Sequence, residues 1–353
     1  MKKYKYYWLL AVLGLSGCGL LMALFSWSES IIHTRNNFIR RYVPDSFKAF
    51  EADLQYNSFY YAGRNRDKLI LGNSTAPLLI TEFDTLLKTK KQYTLSIHET
   101  PDFKSPSLLV DNDYFALADG VASLIYTGKL SSRTGSKSWS GDVKFSQPQL
   151  VSTNRLAFRT IDPATNESEL AALSIEAGMR SHIQPGLLEK QIDGIFDVDG
   201  RLHYDNTTKK LVYVYHYRNE YIVADNDLQI QWMGNTIDTT SQAKIEVATI
   251  ESRNEKKFSA PPLMVNKTSG VYGNLLFINS QLIGKYEDIE IWEQASIIDV
   301  YDYINKEYIS SFYIYHDKGK KLRNFFVYGN YFYAFIGNKL IAYKLSRSIL
   351  KRI

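Results

Sequence analysis

Hydrophobic positions in this chain recur in short runs, alternating or fully apolar, broken by Asn, Asp and Gly. Residues 200–235, GRLHYDNTTKKLVYVYHYRNEYIVADNDLQIQWMGN, show the pattern most clearly. Tyr, Val, Ile and Leu mark strands at 201–204, 210–217, 220–224 and 229–233, and the pieces between them carry turn residues, which predicts an antiparallel meander. A lone sheet of this kind has two apolar faces and cannot bury both, so similar units must stack on either side of it.

The same succession of polar turn and apolar strand recurs along the chain. An Asn turn precedes KLILG at Asn65, YFALA at Asn112, RLAFR at Asn154, KKLVYVY at Asn206, LLFIN at Asn274 and YFYAF at Asn330. These markers lie about 40 to 70 residues apart, which suits four-stranded propeller blades. The last two turns share the string Val-Tyr-Gly-Asn, at 271–274 and 327–330. Residues 164–177 are the best helix candidate but read as a turn followed by a strand at 170–175. The longest interval holds one convincing strand, 245–250, then the charged run 251–257 and Pro261-Pro262, and reads as an elaborated loop. The expectation is an all-β fold, a six-bladed β-propeller over residues 44–353, with an N-terminal transmembrane helix. The last unit lacks a fourth strand after Leu345. Residues 50–56, where Ala52, Leu54 and Tyr56 alternate, are expected to supply it and so remove two exposed sheet edges.

The first residues follow another pattern. A basic start, 1–5, with Lys2, Lys3 and Lys5, precedes residues 6–27, which carry no charge and are long enough to cross a hydrocarbon core of about 30 Å. Tyr6, Tyr7 and Trp8 at one end and Phe25 and Trp27 at the other match an interfacial aromatic belt. The basic start places the N-terminus in the cytoplasm and the propeller on the extracytoplasmic, periplasmic side, against the opposing pull of Arg35, Arg40 and Arg41. Cys18, the sole cysteine, lies in Leu15-Ser16-Gly17-Cys18, which resembles a lipobox and makes Cys18 a candidate for lipidation. An uncleaved span, a lipid anchor and a cleaved signal all remain open here. Residues 28–43 read as a polar connector ending near Pro44.

Charge narrows the partners. With 42 basic and 37 acidic residues the surface is nearly balanced, so no nucleic acid is expected. The basic clusters 88–91 and 318–323 fall at turns. Catalytic signatures such as G-x-S-x-G, a P-loop, H-E-x-x-H and C-x-x-C are absent. His98, His182, His203, His216 and His316 are scattered over different units. Asp193, Asp197 and Asp199 hint at a calcium loop but lack the bidentate Glu of an EF-hand, so turn chemistry is the better reading. No metal site and no cofactor are expected. Nor does any residue stand out as catalytic, and whether the chain is an enzyme stays open.

With its units laid out, the chain resembles uncharacterised membrane-anchored six-bladed β-propeller proteins of the bacterial envelope, of TolB-like or NHL-like architecture. The resemblance rests on segments such as Gln191-Ile192-Asp193-Gly194-Ile195-Phe196 and Gly234-Asn235-Thr236-Ile237-Asp238-Thr239 and covers most of residues 36–345. It implies a compartment and an architecture and carries no catalytic residue over.

The function expected is that of a membrane-anchored extracytoplasmic module that binds or scaffolds a protein partner or small ligand. The alternative is an envelope hydrolase or lyase with its site in the propeller funnel. The longest excursions, 183–199, 235–266 and 284–295, fall on one face of such a meander with the turn at 218–220. Arg218, Glu220, Asp238 and Glu287 are therefore the candidate partner-binding residues.

Overall fold

The computed structural model describes residues 2–32, 36–43, 47–98, 102–175, 181–250 and 255–352. Pro44 and Arg35, and part of the charged run near 251, lie outside the described residues. Helix α1 (Lys2–Ile32) contains the apolar segment Lys5–Trp27, of mean hydropathy 2.2, and none of that segment is buried against the rest of the protein. Cys18 sits in the middle of this helix and is exposed.

Among the described residues the regular elements that follow are strands and two short helices. Strand β1 (Phe47–Asp53) is set aside by the chain until its last unit. Then come β2 (Phe59–Asn65), β3 (Lys68–Asn73), β4 (Leu79–Asp84), β5 (Lys90–Thr94) and β6 (Ser96–Ile97). The next unit is β7 (Pro106–Asp111), β8 (Tyr114–Asp119), β9 (Leu124–Lys129) and β10 (Thr134–Ser140). Strands β11 (Phe145–Ser152), β12 (Arg155–Ile161), β13 (Ser168–Ser174) and β14 (Ser181–Gln184) form one four-stranded sheet. Another is β15 (Gly200–Asp205), β16 (Lys210–Tyr215), β17 (Glu220–Ala224) and β18 (Ile230–Asn235). A hairpin, β19 (Val247–Ile250) and β20 (Glu255–Phe258), precedes β21 (Asn266–Tyr272) and β22 (Leu275–Ser280). Helix α2 (Ile289–Gln294) then leads to β23 (Ala295–Asp302) and β24 (Glu307–Tyr315), which complete the β21–β24 sheet. Last are β25 (Leu322–Tyr328), β26 (Tyr331–Ile336), β27 (Lys339–Lys344) and α3 (Arg347–Leu350).

The meander at 200–235 forms as its pattern predicts. The side chains of β16 from Leu211 to Tyr215 are all buried, because this second strand has sheets packed on both of its faces. The strand inferred within 164–177 is β13. Residues 235–266 depart from the single strand expected: β19 pairs with β20, with Val247 opposite Phe258, so part of the charged run is itself a strand. The reason is packing, since Phe258 lies against Phe196 and Tyr217, with ring centroids 4.6 and 5.7 Å away.

Closure also comes from pairing. Strand β1 runs antiparallel to β27, with Phe50 opposite Ala342 and Ala52 opposite Leu340, giving the sheet order β1-β27-β26-β25. The first strand and the last three thus share one sheet, and the closing strand starts three residues earlier than the alternation suggested.

The six-bladed expectation is corrected by the sheets themselves. Among the described residues there are four four-stranded blades in a propeller-like arrangement. The two N-terminal units are not separate blades. They merge into one nine-stranded sheet, because β2 and β7 hydrogen-bond in parallel, with Gly63 opposite Val110 and Arg64 opposite Asp111. Gly63 permits this. It holds φ at +138°, and a Cβ there would stand 1.9 Å from the Val110 carbonyl oxygen.

Apolar layers fill the spaces between successive sheets. Val212, Val214, Val223, Leu276, Ile278 and Tyr301 pack between the β15–β18 and β21–β24 sheets. Phe59, Leu69, Leu71, Phe326, Phe335 and Leu340 do the same between the nine-stranded sheet and the closing one. Each such buried side chain contributes about 1.5 to 3 kcal/mol, so face-to-face stacking of sheets is the main source of stability.

Candidate ligand-binding channel

The first strand of each unit lies innermost. Strand β2 touches β7 and β25, β11 touches β7 and β15, and β21 touches β15 and β25, a closed circuit around a channel. One mouth, at the C-terminal ends of these strands, holds a cavity of about 390 Å³ lined by Tyr61, Arg64, Asp111, Gln149, Tyr204, Tyr272 and Tyr328. Tyr61 stacks on Phe326 with centroids 3.8 Å apart, and burial pushes its phenol up. The Arg64 guanidinium lies over the Tyr328 ring at 5.7 Å. Asp205, on the rim, is already engaged by the amides of Thr207, Thr208 and Gly273. This mouth is an aromatic collar of mixed charge.

The other mouth, at the N-terminal ends, holds a cavity of about 360 Å³ lined by Tyr60, Tyr61, Ser74, residues 104–107, Arg201 and Asn324. No carboxylate lines it. Burial lowers the pKa of Arg201, and His203, two positions along the same strand, is driven down to about 3 by burial and then by Arg201 and His216. The His203 ring is thereby kept neutral, within 2.7 Å of Ser269 Oγ.

The residues singled out from the sequence occupy different roles. Arg218 is fully buried, with its guanidinium 3.6 Å from the Tyr215 ring centroid and its Nε 2.8 Å from Glu220 Oε2. Its Nη1 donates to the Glu189 carbonyl, which holds the loop before β15 in place. Asp238 is buried and accepts from Thr236 Oγ1 and the Thr240 amide, and burial pushes its carboxyl up. Glu287 accepts from Arg40 Nη1 at 2.7 Å, Tyr42 Oη at 2.8 Å and the Gly284 amide at 2.7 Å. These side chains staple the long excursions to the strands beneath them. Asn219 ties the turn at 218–220 to the 235–266 excursion, donating its Nδ2 to the Asp238 carbonyl and its amide to the Thr240 carbonyl.

Turn chemistry accounts for the acidic run before β15. Asp197 accepts the amides of Gln191, Ile192, Asp193 and Gly194. Burial alone would raise its carboxyl, but the Gln191 and Ile192 donors outweigh that and hold it below the usual carboxylate range. Asp199 pairs with Arg159. Among the described residues no group of three or more His, Cys, Asp or Glu is placed to hold a metal.

Two arginines went unrecognised in the sequence. Arg40 reads there as a juxtamembrane charge, yet its guanidinium is closed to solvent between Glu287 and Asp299. Arg201 reads as one polar position in a strand. A cation placed next to Gly200 on an innermost strand was the available signal.

No family model and no curated protein matches this chain. Among solved structures it is similar to a chain of a nidogen/laminin complex, at 11% identity and a TM-score of 0.45, over 76% of this chain and 85% of that one. It is also similar to Kluyveromyces lactis Hsv2, at 11% identity and a TM-score of 0.43, over 83% and 76% of the two chains. A chain of a mitotic checkpoint complex aligns at 8% identity and a TM-score of 0.45, over 86% and 96%. Likenesses this distant carry no functional argument.

Proposed function

We propose that this protein is a binding module held at a membrane by α1, with its ligand seated in the channel between the innermost strands. The observation that carries the proposal is the channel itself. Its walls are polar and aromatic and its two mouths are open, whereas the spaces between sheets are filled with apolar side chains. Concave sites with a few convergent polar groups on a rigid scaffold are where small ligands bind.

The anchor follows from α1. Its apolar segment meets no protein surface among the described residues, and lipid would satisfy it. The domain is read as extracytoplasmic, in a bacterial envelope, on the strength of Lys2, Lys3 and Lys5. Asn36 stands four positions beyond Ile32, within about 14 Å of chain, and its amide donates to the Ile283 carbonyl at 3.2 Å. Asn266 at the start of β21 pairs with Ser280 at the end of β22, so Asn36 meets the domain on the side of the mouth that holds Arg201.

The test is retention. Full-length protein in detergent, immobilised and exposed to a small-molecule extract, should hold a defined set of compounds and release them unchanged. Release of hydrolysed or eliminated products instead would favour the hydrolase or lyase, and no selective retention would end the proposal.

A further inference from the structure

We propose that the mouth containing Arg201 is an anion site that takes the phosphoryl or carboxyl group of the ligand; this deepens the channel reading and rests on it.

Buried guanidinium groups elsewhere in the protein are paired. Arg40 meets Glu287 and Asp299, Arg218 meets Glu220, and Arg159 meets Asp199. Arg201 differs. Its side chain is half-buried in the cavity wall, and among the described residues no carboxylate or other acceptor lies within hydrogen-bonding distance of it. A partly desolvated cation without a counter-charge carries a cost that an arriving anion removes.

The surrounding groups match the same ligand. Tyr60 Oη accepts the Leu108 amide at 2.7 Å, which leaves its own hydrogen available to donate. Asn324 Oδ1 accepts from Thr268 Oγ1 and the Phe325 amide, so its Nδ2 is the free end. Ser107 adds a hydroxyl and Lys104 a second cation at the rim. Two carboxylates stand beside this rim: Asp102 is exposed and pairs with Lys104 Nζ at 2.9 Å, and Asp119 is already engaged by the amides of Lys104, Ser105, Val121 and Ala122. Within the cavity donors outnumber acceptors, and the planar fork of Arg201 suits two oxygens of one phosphoryl or carboxyl group. His203 stays neutral and adds no charge.

Calorimetry on the full-length protein in a maltoside detergent, which carries no phosphate, tests this with inorganic phosphate against chloride at matched ionic strength. Phosphate should bind the parent, about tenfold or more weaker to Arg201→Gln, with part of the affinity restored in Arg201→Lys and none lost in the remote control Arg352→Gln. Dihexanoyl phosphatidylglycerol below its micelle concentration separates the sources: tighter Arg201-dependent binding than phosphate identifies a lipid headgroup, and weaker binding a free anion. If Arg201→Gln does not fold, Arg201→Lys and Asn324→Ala carry the comparison. Equal phosphate binding by parent and folded variants, or none by the parent, overturns the anion site. Selective retention of compounds in that event would leave the channel reading standing.

Discussion

Arg40 Nη1 lies 2.7 Å from Glu287 Oε1, and neither side chain is open to solvent. One residue belongs to the stretch that follows the apolar helix α1 and the other to the loop before α2, so the pair locks the entry of the chain onto the β21–β24 sheet. Asp299 Oδ1, 2.7 Å from Arg40 Nε, and the 4.3 Å stack of Tyr42 on Tyr313 extend the lock.

Removing the cation should be severe, because two buried carboxylates would then face each other unpaired. Arg40→Met is expected to cost about 3 to 5 kcal/mol in urea unfolding. The triple variant Arg40→Met, Glu287→Gln, Asp299→Asn should recover part of that loss. A cost for Arg40→Met within 1 kcal/mol of zero would show that the lock is ornamental.

Closure by β1 makes a second expectation. A protein lacking residues 47–53 loses the outer strand of its last sheet and exposes Phe335 and Leu340, and should unfold at markedly lower denaturant or aggregate. Removal of α1 alone should leave a cooperative, soluble fold. Parallel melting curves decide between closure and an ornamental β1.

Much of this architecture is legible in the sequence, and the exceptions have physical causes. Continuous apolar runs such as 211–215 mark strands because sheets bury both of their faces, and Ala52 and Leu54 point to closure because an unfinished unit needs an edge partner. The blade count fails because the hydrophobic pattern reports strands and turns but not which edges of neighbouring units join. That outcome turns on the missing Cβ at Gly63. The sequence marks Arg218, Asp238 and Glu287 as candidate partner-binding residues but cannot show their internal partners, Glu189, Asn219 and Arg40, which only the tertiary fold brings to them. Arg201 was overlooked for the converse reason: what distinguishes it is a partner it lacks.

Gly63→Ala tests the merging of the first two units directly. The added methyl would collide with the Val110 carbonyl and oppose a positive φ, and a loss of about 3 kcal/mol or more is expected. Faster amide exchange should appear in β2 and β7 before it reaches β22. Uniform acceleration across all sheets would contradict this.

Acid should weaken the domain through His203. Its folded-state pKa, about 3, lies below the unfolded value of 6.5, so the unfolded chain binds more protons and stability falls as pH drops from 6.5 towards 3. His216, also lowered by burial, acts in the same direction. His203→Gln removes one titrating ring, and the stability lost between pH 7 and pH 5 should shrink by about 1 to 2 kcal/mol relative to the parent. An unchanged pH dependence would place His203 in contact with water.

The most direct measurement of the account is retention of small molecules by channel-blocked protein. Ser107→Trp narrows the mouth beside Arg201 and Gln149→Trp the opposite one, while neither touches the ion pairs that hold the loops. Both variants should melt like the parent, and at least one should lose the compounds that the parent retains. Undiminished retention by both variants would contradict a ligand seated in the channel.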